Sequence, residues 1–188
     1  SGLRFGKTLG SPLVFWVRNR EYEKWQPLMD PVGEKPEGYE PVTVPRPGHA
    51  DLGGMVKYRF DDIRNVIERA SARETVGRCI AGAVAKLFLR HFGVRVGGFV
   101  ESIGGVRVEV EDRPFEEMVE RALLSPLAAP DKEEEMKRRI AEAIDSGDTL
   151  GGTFIVVAFH VVPGLGSYVE LEKRLDSRLA FYLMGIPG

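Results

Sequence analysis

The chain has 188 residues, 43% hydrophobic and 29% charged, with 26 basic side chains against 28 acidic ones. That length suits one domain with a real core, and the composition is that of a globular protein, not a disordered one. The near-neutral charge, with no basic run interleaved with aromatics, argues against a nucleic-acid partner; the lack of an apolar stretch near about 18 residues or of a signal-peptide pattern argues against membrane insertion and secretion.

Ser1 to Gly10 holds Gly6-Lys7-Thr8, the ending of a phosphate-binding loop, but Gly2 and Gly6 enclose three residues and such a loop needs four. A turn before a strand is the expectation, with Pro12 to Asn19 (PLVFWVRN) as a short β-branched and aromatic strand. From Arg20 to Pro47 the chain is rich in proline and poor in apolar periodicity. This predicts a long irregular connection over 20–56, of the kind that forms lids or binding loops, with Trp25 and Tyr39 as packing anchors.

Arg46-Pro47-Gly48-His49-Ala50-Asp51 places three kinds of ionisable group and two turn-forming residues within six positions, so it reads as a loop that delivers His49. Ser71-Ala72-Arg73-Glu74 is an S-x-x-E capping box before a long apolar run, predicting a helix from Ala72 to the stop at Gly93. Val76, Cys79, Ile80, Ala83, Val84, Leu87 and Phe88 form its apolar stripe, so one face should be buried. Residues 46–78 carry six arginines and one lysine against five carboxylates, in a chain whose net charge is −2. With Arg69 and Arg73 flanking a helix N-terminus, that excess predicts an anion site. Arg64 and Arg78 read as solvated helix charges. Cys79 is the one cysteine, allows no internal disulfide and fits a reducing cytoplasm.

Val94 to Glu111 has two alternating runs around Gly104-Gly105, a hairpin whose Val106, Val108 and Val110 should face the core while Arg107, Glu109 and Glu111 face water. Phe115 to Leu124 is expected to be helical. So is Asp131 to Ser146, with Asp131 and Glu134 as an acidic capping box, Met136, Ile140, Ala143 and Ile144 as its stripe, and Gly147 as its stop. Thr153 to Val162 (TFIVVAFHVV) reads as a strand buried on both faces. Gly164-x-Gly166 lacks the third glycine of a dinucleotide fingerprint. Leu171 to Met184 is the last predicted helix. His91, at a helix end, and His160, in an apolar strand, have structural explanations, and nothing supports a metal site.

The motifs RPGHAD (46–51), Asp62-Ile63-Arg64 and Glu68-Arg-Ala-Ser-Ala-Arg-Glu-Thr75 resemble chorismate synthase, as do FGKTLGSPLVF near the start and GDTLGG and PGLGS further on. The resemblance implies an α+β fold of β-α-β sandwich type, with helices packed between antiparallel sheets. It implies a 1,4-anti elimination of phosphate from 5-enolpyruvylshikimate 3-phosphate to give chorismate, with reduced FMN (FMNH2) as cofactor. It also implies a homotetramer in the cytoplasm.

By the same resemblance His49 protonates the reduced flavin, Arg69, Ala70 and Ser71 contact FMN, and Arg46, Ser71 and Arg73 hold the substrate. A loop histidine that can carry a proton near neutral pH suits the first role, and several arginines suit a ligand with two carboxylates and a phosphate. Ser71 is also the helix N-cap, and the two roles can coexist. The family's Gly-x-Ser-His-Gly motif with its second catalytic histidine, and its catalytic aspartate, have no counterpart in this chain. The resemblance therefore implies a central fragment, inactive alone. The alternative is a non-catalytic domain of the same fold that binds an anionic ligand or assembles with a partner.

Overall fold

Short glycine-punctuated segments open the chain: β1 (Leu3–Arg4) and β2 (Lys7–Thr8) pair antiparallel, Leu3 opposite Thr8, across a turn at Phe5-Gly6. The computed structural model describes residues 2–110 and 113–186. The packing divides the chain into two compact units, Ser1–Gly82 with Asp176–Gly188 and, separately, Ala83–Leu175.

In the first unit, Pro12 to Asn19 is not the expected strand. A strand is completed by the neighbour that takes up its N–H and C=O groups, and among the described residues none pairs with this segment. Its Val14, Phe15, Trp16 and Val17 stay exposed. The long connection contains one short helix, α1 (Tyr22–Trp25), and ends earlier than residue 56, because helix α2 (Asp51–Tyr58) begins inside the RPGHAD motif. Helix α3 (Arg64–Ala70) follows and packs on α2. Gly54 permits their close approach, since a Cβ there would lie 2.6 Å from the Val66 side chain.

The capping-box helix forms with a modified start. Ala72–Glu74 is a tight 3-10 turn and α4 runs over Thr75–His91. Its end is as expected: Gly93 has φ +80, and the Val94 N–H reaches back to the Leu89 carbonyl, a Schellman arrangement. The expected burial of its stripe is not found: α4 has no buried residue, and Leu87 and Phe88 are each 65% exposed. Periodicity shows which face is apolar, whereas burial needs a partner, and none among the described residues covers this one.

The second unit is a three-stranded antiparallel sheet, order β4-β3-β5, of β3 (Arg95–Ile103), β4 (Val106–Arg107) and β5 (Gly152–Phe159). Gly104 and Gly105, at φ +56 and +85, make the two-residue hairpin turn. Val108 is buried and Val106 and Val110 pack beside it, while Arg107 and Glu109 are exposed, as the alternation predicts; Glu111 lies outside the described residues. Helices α5 (Phe115–Ala122) and α6 (Glu133–Ser146) close one face, where Phe99, Met118, Val119 and Met136 form the core. Gly97 admits α5, because a Cβ there would come within 2.3 Å of Val119.

Three expectations change in this unit. Asp131 does not cap α6: it sits at φ +64 with its carboxylate on Arg113 and Arg121, and the helix starts two residues later with no side-chain cap. On the α6 stripe Met136 and Ala143 are buried, but Ile144 is exposed. Strand β5 is antiparallel and buried on one side only, with Ile155, Val157 and Phe159 turned to the half-buried face and Phe154 and Val156 exposed. An unbroken apolar run does not distinguish a two-sided strand from one whose second face is open. The last expected helix is split at Arg174 into a 3-10 turn, Leu171–Lys173, and α7 (Leu175–Met184). The fold is α+β, and no helix among the described residues is long and apolar enough to cross a membrane.

Candidate functional site

His49 sits at the end of a tight turn that its own neighbours build. Proline fixes φ near the value a turn needs at its second position, and glycine supplies positive φ at the third. Pro47 and Gly48, the latter at φ +72, occupy those positions, and the His49 N–H reaches the Arg46 carbonyl at 3.4 Å. The exposed imidazole places Nδ1 2.9 Å from the Pro47 carbonyl. A carbonyl only accepts, so Nδ1 is the protonated nitrogen of the neutral ring and Nε2 remains for other chemistry.

Asp51 closes the motif. Its side chain is fully buried and takes three bonds from Arg46: the backbone N–H at 3.0 Å, Nε at 2.9 Å and Nη2 at 3.0 Å. The Arg46 side-chain hydrogen bonds, then its backbone one, hold the Asp51 carboxyl down to about 2 against the opposing effect of burial. Arg46 is correspondingly held in its charged form by Asp51.

Asp62 is the other buried carboxylate among the described residues. It accepts from the Tyr39 hydroxyl, from the Arg64 N–H at 2.9 Å and from Arg64 Nη1 at 3.0 Å. Burial raises its pKa, but these bonds outweigh burial and the net shift is downward; Tyr39 is shifted up, chiefly because its hydroxyl donates to Asp62. Arg64 also stacks 5.0 Å from the Tyr39 ring centre and donates to the Glu40 carbonyl, so it is a structural cation and not a solvated one. This cluster ties the long connection to the start of α3, and the Ile63 N–H to the Val42 carbonyl continues the tie. Tyr39 is thus the anchor its type suggested.

Arg69 and Ala70 are exposed at the end of α3, and Ser71 is half-buried, its hydroxyl accepting from the Arg73 N–H at 3.3 Å. Arg73 pairs with Glu21, whose pKa is lowered first by that hydrogen bond. The site residues therefore form two clusters, the Arg46–His49–Asp51 turn and the Arg69–Arg73 corner. No hydrogen bond or ion pair among the described residues joins them; the α2–α3 packing carries both. A cleft of about 510 Å³ opens between the long connection and α3, lined by Tyr22, Lys35, Tyr39, Arg64 and Glu68 among others, and neither cluster lines it.

Sequence reasoning missed α2, α3, the Tyr39–Asp62–Arg64 cluster and the Glu21–Arg73 pair. Asp62 ahead of Ile63, Val66 and Ile67 was a readable helix start; Glu21 lies 52 residues from Arg73 and left no local signal.

The sequence profile described as chorismate synthase matches residues 1–188. The chain is 47% identical to the chorismate synthase of Aquifex aeolicus (strain VF5), over 99% of its own length and 49% of that protein's. It is 51% identical to that of Carboxydothermus hydrogenoformans, over 100% of its own length and 49% of the relative's. A crystal structure of a chorismate synthase superposes with a TM-score of 0.79 at 40% identity, covering 99% of this chain and 50% of that one. The chain thus spans about half the length of the relatives it matches.

Proposed function

The chain belongs to the chorismate synthase family, and from that membership we propose that it supplies part of the site for the 1,4-anti elimination that converts 5-enolpyruvylshikimate 3-phosphate to chorismate. In that reaction phosphate leaves C3 and a proton leaves C6. The observation that carries the reading is the His49 turn, in which an exposed imidazole has Nδ1 occupied by its own loop and Nε2 left to hold or pass a proton. General acid–base groups of this kind contribute typically about 10²–10⁴-fold each.

Arg73 binds the anionic groups of the substrate. Its pairing with Glu21 is exposed, and exposed ion pairs contribute little against solvent screening, so a ligand carboxylate or phosphate exchanges for Glu21 at small cost. Ser71 contributes its hydroxyl, and Arg46 contributes Nη1, the guanidinium nitrogen not engaged by Asp51. The donor set of the same Arg69–Arg73 corner also fits a flavin: Arg69 is an exposed cation with no ion pair among the described residues, Ala70 leaves the backbone accessible, and Ser71 brings a hydroxyl beside a helix start. Reduced FMN, when bound, supplies transient electron density for breaking the C–O bond to phosphate, with no net redox change. The long connection ahead of α2 serving as an active-site loop, a cytoplasmic location and a homotetramer complete the reading.

The test is anaerobic conversion of the substrate with photoreduced FMN, followed as chorismate absorbance. It is run on the 188-residue chain and on a hybrid completed with the remaining length of the Aquifex aeolicus relative. The expected result is turnover by the hybrid and none by the 188-residue chain. His49→Ala in the hybrid should retain FMN binding and lose about 10²-fold or more in rate. Wild-type turnover in that variant would overturn the assignment of His49.

A further inference from the structure

We infer that Arg46 and Asp51 are positioning residues for His49: the ion pair of the buried Asp51 with Arg46 locks the 46–51 turn so that the imidazole presents Nε2 with Nδ1 held as the proton-bearing nitrogen. The inference deepens the reading of His49 as proton carrier and rests on it.

Each residue of the motif has a geometric task in this arrangement. The bond from the Arg46 N–H to Asp51 Oδ2 closes the loop through the backbone, and the Nε and Nη2 bonds hold both carboxylate oxygens in a planar fork. Asp51 opens α2, whose backbone is anchored behind the motif by the Gly54 N–H to the Ala50 carbonyl at 2.8 Å. His49 therefore stands between two fixed points, the turn at Pro47-Gly48 and the first residue of a helix. With both ends fixed, the Pro47 carbonyl stays within reach of Nδ1 before any ligand arrives. A proton carrier held this way does not have to be reoriented during the reaction.

The downward shift of Asp51 to about 2 accords with a carboxylate that stays ionised at neutral pH, so the clamp does not come apart there. A merely structural ion pair would stabilise the fold and leave the choice of imidazole tautomer alone; the geometry here ties the two together.

The long-range 1H–15N spectrum of the imidazole rings, recorded on the 15N-labelled 188-residue chain above neutral pH, reads the tautomer directly. His49 is identified by the signal that disappears in His49→Ala. The expected wild-type result is an excess of the Nδ1–H form of about fivefold, the ratio that one hydrogen bond of ordinary net strength gives. Arg46→Lys keeps the compensating charge but loses the fork, and should reduce that excess severalfold while far-UV circular dichroism stays that of the wild type. Asp51→Asn should do the same, and Arg46→Lys carries the test if Asp51→Asn does not fold. An Nε2–H form in the wild type overturns the inference, and so does an unchanged Nδ1–H excess in folded Arg46→Lys. The reading of His49 as proton carrier fails on a different measurement, the turnover of His49→Ala, so the two failures are distinguishable.

Discussion

The segment from Tyr39 to Glu74 and the sheet with its two helices are held by opposite means. In the sheet unit, Phe99, Met118 and Met136 are buried among other apolar side chains, and volume and apolar area do the stabilising. In the other unit the buried apolar set among the described residues is only Ile63 and Val66, and the buried charges are Asp51 and Asp62, each wrapped by hydrogen bonds from an arginine. The region with the candidate chemistry is thus organised by direction, since hydrogen bonds have angles and apolar contacts do not. The framework should therefore respond to lost volume, and the site to lost charge.

The largest effect is expected from removing volume in the sheet unit. Met118 is 0% exposed, and Met118→Ala should cost about 2–5 kcal/mol, from transfer and the cavity left behind. Urea unfolding should show that loss in the sheet unit. A change under about 1 kcal/mol would mean that the cluster collapses onto the gap and that the core is looser than its packing implies.

Acid attacks the other region. The Asp51 carboxyl is held down to about 2 in the folded chain, against about 3.9 when unfolded, so its contribution is full above the unfolded value and is lost as pH falls from about 4 to about 2. Asp62 is shifted the same way and adds to the effect. Hydrogen-exchange protection over α2 and α3 should fall in this window before that of β3 and α5. If the sheet amides lost protection first, the contrast between the two regions would be wrong.

What was legible in the sequence follows the same division. The hairpin at Gly104-Gly105, helix α5 and the stops at Gly93 and Gly147 are written in neighbouring residues, because turn and cap chemistry act within a few positions. His49 was legible because the Pro-Gly pair that presents it is adjacent. What was not legible depended on distant partners: Glu21 on Arg73, Tyr39 on Asp62, and Arg113 and Arg121 on Asp131, which draw that residue away from its expected capping role. The burial that the sequence predicts for α4 and for the second face of β5 is not found, for a related reason. Their apolar patterns specify a face, and whether anything covers it is not a property of the segment.

The smallest effect belongs to Ser71. Its hydroxyl accepts one backbone N–H, that of Arg73, at 3.3 Å, and the turn it starts is 3-10 before α4 begins at Thr75. A long bond into a tight turn places Ser71→Ala toward the lower part of the range for N-cap removal, about 0.5–1 kcal/mol. In a helix packed against a core such a loss would be masked, but α4 has no buried residue, so its population depends strongly on local terms. The loss should therefore appear as fraying over residues 72–78, read as smaller helical Cα chemical shifts there, with α6 unaffected. Ser71→Asp keeps an acceptor at the cap and adds a favourable charge at the helix start, so it should restore the shifts. The same variant puts a carboxylate at the corner proposed to hold the flavin, and FMN affinity should not recover with the helix. Equal shifts in wild type and Ser71→Ala would show that the cap bond does not hold this helix start, and recovery of both properties in Ser71→Asp would show that Ser71 acts on the flavin through the helix alone.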